Sequence, residues 1–181
     1  MSRKYATIGL AVASLTLCTT AGPAAERYGL GHAATKDEIA AWDIDVRNDG
    51  QGLPAGRGNV AEGRAIFAEA CAACHGDKGQ GGIGDVLVGG RGTLNTAKPV
   101  KTIGSFWPYA PTIFDYVNRA MPFNAPQSLT ANQVYAVTAY LLFLNGIVSE
   151  DATLDAASLP RVEMPNHNGF TSDPRPDVAP N

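Results

Sequence analysis

Two cysteines and a histidine form the group in this chain best suited to chemistry. Cys71 and Cys74 are separated by two alanines, and His75 follows directly. At the end of a helix, two thiols at this spacing can reach the two vinyl groups of one porphyrin, and the next residue offers its imidazole to the iron. A thioredoxin-like site would need a strand-helix context, a structural zinc site would need four ligands, and a local disulfide would leave His75 without a role. The spacing therefore predicts one covalently bound haem c.

A second axial ligand for the iron is expected at Met121, so the predicted metal ligands are His75 and Met121. Met121 stands where a predicted helix ends against Pro122, which has no amide hydrogen to continue the helix. A thioether there closes the coordination sphere and raises the reduction potential relative to harder ligands. Met121 can also be read as core filler, and the alternative ligands are Met164, His32 and His167.

The haem propionates also need partners, because buried carboxylates require hydrogen-bond donors. Arg91, Trp107 and Tyr109 are the candidates for this role. They can equally be read as a solvated arginine and two aromatic core residues.

The elements that must position these residues are helical, and the sequence predicts a small all-α domain without internal repeats. Thr35 with Glu38, and Thr130 with Gln133, are capping boxes that begin a short first helix and the last helix. The last helix is expected to stop at Asn145 and Gly146.

Two further helices are predicted between these. One begins after Asn59 and runs to the cysteines, with Gly63 permitting close approach of another helix. The other spans residues 112–120. Between Gly76 and Gly92 the chain has eight glycines, which suits a backbone that passes close to a flat ligand.

The chain divides into four segments. Residues 1–25 read as an export signal, with basic Arg3 and Lys4, a short apolar run and small residues at the end. The apolar run is too short to cross a bilayer, so we expect cleavage near residue 25, a periplasmic protein and no transmembrane anchor. Lipidation at Cys18 is a minor alternative. The signal is followed by an N-terminal arm (26–56), a haem domain (57–148) and a Pro-rich acidic tail (149–181). From Pro160 onward we expect the tail to wrap the surface or stay mobile.

Charge is unevenly distributed along the chain, whose net charge is −3. Residues 50–149 carry seven basic and five acidic side chains, whereas the flanks 26–49 and 150–181 carry twelve acidic and five basic ones. Nothing in this pattern suggests nucleic-acid binding.

Over residues 60–145 the chain resembles class I cytochromes c, with the Met-Pro pair and the haem motif as the specific parts. Further segments are similar to the cytochrome subunits of bacterial sulfite dehydrogenases and of the Sox sulfane dehydrogenase. They are YGLG at 28–31, AWDIDVR at 41–47, GLP at 52–54, GSFWPYA at 104–110, RAMPF at 119–123 and YLLFLNGIV at 140–148.

This resemblance implies a class I cytochrome c fold with extended arms at both ends. It also implies electron transfer from a molybdenum-cofactor sulfite or sulfane dehydrogenase subunit in sulfur oxidation, with a downstream cytochrome or oxidase as acceptor. The chain would be an electron-transfer subunit and not catalytic on its own. The alternatives are a general periplasmic carrier to a terminal oxidase, and a haem enzyme or gas sensor with an open iron site.

One feature departs from that family. Many class I cytochromes have a proline after the haem motif whose carbonyl holds the histidine ring, and this chain has none between Gly82 and Leu87. A backbone carbonyl near Asp85 can take this role.

Overall fold

The computed structural model describes residues 31–173 and residue 175. The predicted export signal therefore lies outside the described residues. The described elements are the helices α1 Lys36–Ala40, α2 Val60–Ala70, α3 Ala72–His75, α4 Ala110–Ala120 and α5 Ala131–Leu144, the strands β1 Arg57–Asn59 and β2 Thr153–Asp155, and a 3-10 helix Leu159–Arg161.

Local capping signals determine where the helices begin. The capping boxes predicted for α1 and α5 are confirmed, and Asn59 caps α2, where Glu62 completes a third box. Helix α4 begins at Ala110, two residues earlier than predicted, with Pro111 in its first turn. Proline fits there because the amides of the first turn have no partner within the helix.

The crossing of α2 and α5 forms the centre of the molecule. A Cβ atom on Gly63 would overlap the carbonyl oxygen of Ala136, so the two backbones are in direct contact at this point. One turn later, the rings of Phe67 and Tyr140 meet edge to face with their centroids 5.4 Å apart. The close approach predicted from Gly63 is confirmed.

The prediction of an all-α domain is wrong in one respect, because β1 and β2 form a small antiparallel sheet. Arg57 pairs with Asp155, Gly58 with Leu154 and Asn59 with Thr153. A Cβ atom on Gly58 would overlap the backbone of Ala136, and Leu154 is 5% exposed. The two-stranded ribbon thus packs directly against α5. Its backbone amides and carbonyls are shielded from water there and need hydrogen-bond partners, which each strand provides for the other.

The hydrophobic core does not stop at residue 148. Leu154, Leu159 and Met164, all from the predicted tail, belong to the same buried cluster as the helices. Beyond them, the side-chain amide of Asn166 donates to the Phe106 carbonyl at 2.7 Å. The described part of the tail therefore wraps the domain and also fills part of its interior.

The N-terminal arm has two parts with different environments. Helix α1 has no buried residue, and Trp42 just after it is 87% exposed. Further along, Val46 is buried in the core, and the carbonyl of Pro54 accepts a hydrogen bond from the Tyr135 hydroxyl at 2.9 Å. Within the described part of the arm, the buried contacts with the core thus begin after α1. In the part of the chain that the structure describes, no helix is both long and apolar enough to cross a membrane.

Candidate haem-attachment site

The motif Cys71 to His75 occupies one short helical turn. Helix α2 ends at Ala70, Cys71 is its C-cap, and the amide of His75 donates to the Cys71 carbonyl at 3.0 Å. Cys71 is half-buried and Cys74 is exposed, and neither is in a disulfide. Burial, and secondarily the neighbouring Cys74, raise the pKa of the Cys71 thiol to about 11. Both sulfur atoms are thus offered within a single turn at the end of α2.

The glycine-rich loop, residues 76–92, contacts the imidazole of His75 at two points. His75 Nδ1 lies 2.7 Å from the carbonyl oxygen of Asp85, so Nδ1–H donates to it and Nε2 keeps its lone pair for a metal. A Cβ atom on Gly84 would lie 2.8 Å from His75 Cε1, too close for any side chain to fit without moving the ring. The expected carbonyl near Asp85 is therefore confirmed as the partner of His75 in a chain without the usual proline.

The same loop is closed onto the residues of the motif by backbone hydrogen bonds. The amide of Gly84 donates to the Cys74 carbonyl at 2.9 Å, and that of Gly81 donates to the His75 carbonyl at 2.8 Å. The loop thereby fixes both the backbone and the ring of the histidine.

Asn145, the C-cap of α5, holds the C-terminal part of this loop by hydrogen bonds. Its side-chain oxygen accepts from the Gly89 amide at 3.1 Å, and its side-chain amide donates to the carbonyls of Leu87 at 3.2 Å and Leu141 at 2.9 Å. The guanidinium of Arg91 donates to the Asn145 carbonyl at 3.0 Å. Arg91, a candidate propionate donor, thus also joins the loop to the end of α5.

Met121 lies where the sequence places it, as the C-cap of α4. Its amide donates to the Val117 carbonyl at 3.1 Å, and its side chain is half-buried against the core. The three alternative ligands have other interactions. Met164 is 4% exposed within the core, the His32 ring contacts Glu38 at 3.3 Å, and His167 Nδ1 lies 3.2 Å from the Pro108 carbonyl.

The two aromatic candidates for the propionates lie on the segment that leads into α4. The Trp107 ring packs edge to face on Tyr116 at 5.9 Å, and the Tyr109 ring packs edge to face on His167 at 5.1 Å. These contacts explain the aromatic side chains as packing groups, and their contact with propionates stays a prediction.

Sequence reasoning missed the buried carboxylate of Asp115 on α4. Asp115 is 7% exposed, and its carboxylate is bound by Arg119 and by the backbone amide of Val46. The four-residue spacing of Asp115 and Arg119 was the available signal for a pair on one helix face. No local signal pointed to the third partner, which comes from the N-terminal arm.

The donor set and its surroundings fit a covalent haem. An imidazole held through Nδ1, a thioether and two thiols are the attachment and ligand chemistry of c-type haem. Two large apolar side chains are exposed near these residues in the sequence: Ile83 (94%) lies in the loop that contacts His75, and Phe123 (86%) follows the Met121–Pro122 pair.

Comparisons with known proteins show which family the chain resembles. Residues 58–141 match the family described as cytochrome c oxidase, cbb3-type, subunit III. A chain in the crystal structure of the sulfane dehydrogenase SoxCD from Paracoccus pantotrophus is similar, with 49% sequence identity and a TM-score of 0.78. This similarity covers 83% of the present chain and 75% of the SoxCD chain. The comparison with curated proteins gave no match.

Proposed function

Because this chain belongs to the cytochromes c of the sulfite dehydrogenase and Sox sulfane dehydrogenase type, we propose that it is a periplasmic monohaem electron-transfer protein. Its electron donor is a molybdenum-dependent sulfite or sulfane dehydrogenase, and its acceptor is a downstream cytochrome or oxidase. The observation that carries the proposal is the hydrogen bond from His75 Nδ1 to Asp85, since it prepares Nε2 of the motif histidine as a metal ligand.

Each residue has a separate role in this proposal. Cys71 and Cys74 would attach the porphyrin, and His75 and Met121 would hold the iron from its two faces. A haem bound in this way supplies one-electron cycling between ferrous and ferric iron. The protein supplies orientation, exclusion of water and control of the potential.

A closed coordination sphere favours electron transfer over the alternative of a haem enzyme or gas sensor. Met121 is fixed at the end of a buried helix, and the other potential ligands have interactions of their own. Rapid carbon monoxide binding to the reduced protein would favour the open-site alternative. The weak far-red methionine-to-iron absorption band of the oxidised protein would support the closed site.

The attachment of haem is tested by expressing the protein in cells that mature cytochromes c. The expected product is red, and its pigment stays with the protein in acidified organic solvent because thioether bonds hold it. Cys71→Ser and Cys74→Ser should each leave a single link, and the double variant should release all pigment. A colourless wild-type protein would contradict the proposal. Sequencing the mature N-terminus tests export and cleavage near residue 25.

The identity of the partner is tested by stopped-flow reduction with a sulfite-oxidising and with a sulfane-oxidising molybdenum enzyme. The similarity to a SoxCD chain over most of this chain supports such a partner. The two acidic flanks can steer a basic surface toward the haem domain, so the rate should fall as salt is added. Reduction by neither enzyme at any salt concentration would favour the general carrier, and a rate indifferent to salt would exclude the steering.

A further inference from the structure

A partly buried ion pair, with its carboxylate buried and its guanidinium partly exposed, lies in the second half of α4, shortly before the residue expected to bind the iron. Asp115 Oδ1 accepts hydrogen bonds from Arg119 Nε at 2.9 Å and from the Val46 amide at 2.8 Å, and Asp115 Oδ2 is bound by Arg119 Nη2. The Asp115 side chain is 10% exposed and that of Arg119 is 46% exposed. The carboxylate therefore joins two distant parts of the chain, α4 and the N-terminal arm.

The arm lies against α4 through more than this one hydrogen bond. Val46 is itself buried in the core, and the Thr112 hydroxyl bonds to the side-chain oxygen of Asn48 at 3.1 Å. The hydrogen bonds that Arg119 donates to the Asp115 carboxylate, and secondarily the charges of Asp115 and Asp45, raise the pKa of the Arg119 guanidinium above its ordinary value. The arm segment 45–48 thus forms a brace along α4.

Helix α4 determines where the Met121 side chain can go. Asp115 and Arg119 lie four residues apart, on one face of the helix, and the C-cap residue Met121 is two residues after Arg119. A rotation or shift of the last turn would carry Met121 with it, because the Met121 amide is bonded to the Val117 carbonyl.

We propose that Asp115, Arg119 and the Val46 amide fix the end of α4 and so hold the Met121 thioether on the iron. This inference rests on the proposed function, in which Met121 is the second axial ligand. Asp115 and Arg119 are positioning residues, and the N-terminal arm is part of the structure that positions the iron ligand.

The population with Met121 detached can be measured with an added ligand. Imidazole binds the ferric iron only where the thioether has left, so its apparent affinity scales with the detached fraction. A weaker brace therefore gives tighter imidazole binding. The binding is measured by titrating imidazole and recording the loss of the far-red methionine-to-iron band.

The test uses the full haem-loaded protein and the variant Asp115→Asn. The amide keeps the size of the side chain but loses the charge and one of the acceptor oxygens, so imidazole should bind at least about tenfold more tightly, a change of about 1.4 kcal/mol. Arg119→Lys keeps the charge but loses the two-pronged geometry, and it should shift the affinity in the same direction by a smaller factor. Arg119 is partly exposed, so this variant remains informative if Asp115→Asn folds poorly.

Two controls separate a local effect from a general one. Asp37→Asn removes the same charge from exposed α1 and should leave imidazole binding unchanged. Val60→Ala removes buried volume at the start of α2 and should lower the denaturation midpoint without changing imidazole binding.

Three results would overturn the inference. The first is a wild-type imidazole affinity in both Asp115→Asn and Arg119→Lys. The second is an equal gain in imidazole affinity in Val60→Ala at matched stability, and the third is an equal gain in affinity in Asp37→Asn. A wild-type protein that lacks the far-red band would instead refute coordination by Met121, and the brace with it. Reduction by the partner enzyme tests the proposed function separately.

Discussion

At the scale of single residues, the neighbours of His75 set the orientation and the tautomer of its ring. The Asp85 carbonyl fixes which nitrogen carries the hydrogen, and Gly84 leaves room for the ring. A backbone carbonyl performs here the task that a proline carbonyl performs in many class I cytochromes. In this chain the position that must be kept for the His75 ring to fit is therefore a glycine, Gly84, and not a proline.

Gly84→Ala is expected to displace the imidazole. The new Cβ atom would lie 2.8 Å from His75 Cε1, and relieving that overlap should cost about 1–3 kcal/mol and weaken the bond to Asp85. Electron paramagnetic resonance of the ferric protein should show shifted g-values, and chemical denaturation should show reduced stability.

Gly89→Ala is the matched control for this substitution. Gly89 has a φ of +96°, and a Cβ atom added there would meet nothing within 4 Å, so the change introduces backbone strain without touching His75. It should lower stability and leave the g-values unchanged. Equal g-value shifts in both variants would mean that loop strain, and not contact with the ring, controls the histidine.

At the scale of elements, the contact between α2 and α5 positions the whole motif. The motif follows α2 directly, and α2 is placed by the contact of Gly63 with the backbone of Ala136. Asn145 at the other end of α5 holds the loop that bears on His75. One helix, α5, therefore supports the motif from both sides.

Gly63→Ala should destabilise the protein, although alanine is the better helix former by about 1 kcal/mol. The added methyl group would collide with a backbone carbonyl that has no room to retreat, and such overpacking costs about 1–3 kcal/mol or more. The exposed Ala61→Gly on the same helix should cost only about 1 kcal/mol. Urea denaturation of the haem-loaded proteins measures both, and a Gly63→Ala variant as stable as wild type would contradict the packing.

Sequence reasoning recovered the elements whose signals are local. The boxes at Thr35 and Thr130 and the cap at Asn59 each lie within four residues, so they are legible without knowing the fold. The β1–β2 ribbon was missed because each strand has three residues and its partner lies almost a hundred residues away. Such short strands show no period, and only the surface of α5 brings them together.

The candidate site was predictable to the same extent. Cys71, Cys74 and His75 lie within five consecutive residues, and Met121 stands at a helix end marked by proline, so each could be named from the sequence. The brace at Asp115 could not, because its third partner, the Val46 amide, carries no signature in side-chain type. A hydrogen bond to a distant backbone group can be found only in the folded chain.

At the scale of the whole molecule, the described parts of the arm and of the tail contribute to one core with the helices. Tyr135 at the centre of α5 is fully buried, and its hydroxyl reaches the Pro54 carbonyl of the arm. Leu154 and Leu159 close the core from the other end of the chain. Val46 in the N-terminal flank is buried in the same core, so both acidic flanks are attached to it at fixed points.

The Tyr135 link predicts a loss of stability in alkali. Burial, and secondarily the charge of Asp155, raise the pKa of Tyr135 from 10.0 to about 12. The folded protein holds this proton more tightly than the unfolded chain does, so the contribution is fully present below pH 10 and is lost as the pH rises toward 12. At pH 11 the loss should be about 1 kcal/mol, measured by urea denaturation at pH 8 and pH 11.

Tyr135→Phe isolates this effect. It should cost about 1 kcal/mol at neutral pH, because the Pro54 carbonyl loses its donor, and it should remove this part of the alkaline loss. Tyr116→Phe, at a half-exposed position, should keep the wild-type response. If Tyr135→Phe and wild type lost stability equally between the two pH values, the link would not be the cause.

Leu159 and Met164 lie late in the sequence, which affects when the core can be completed during synthesis of the chain. A polypeptide is made from its amino end, so the Cys71–His75 turn emerges well before the residues that complete the interior. Until Leu159 and Met164 have been made, the core lacks two of its buried side chains, so we expect the proposed attachment of haem to Cys71 and Cys74 to be possible before the core is complete.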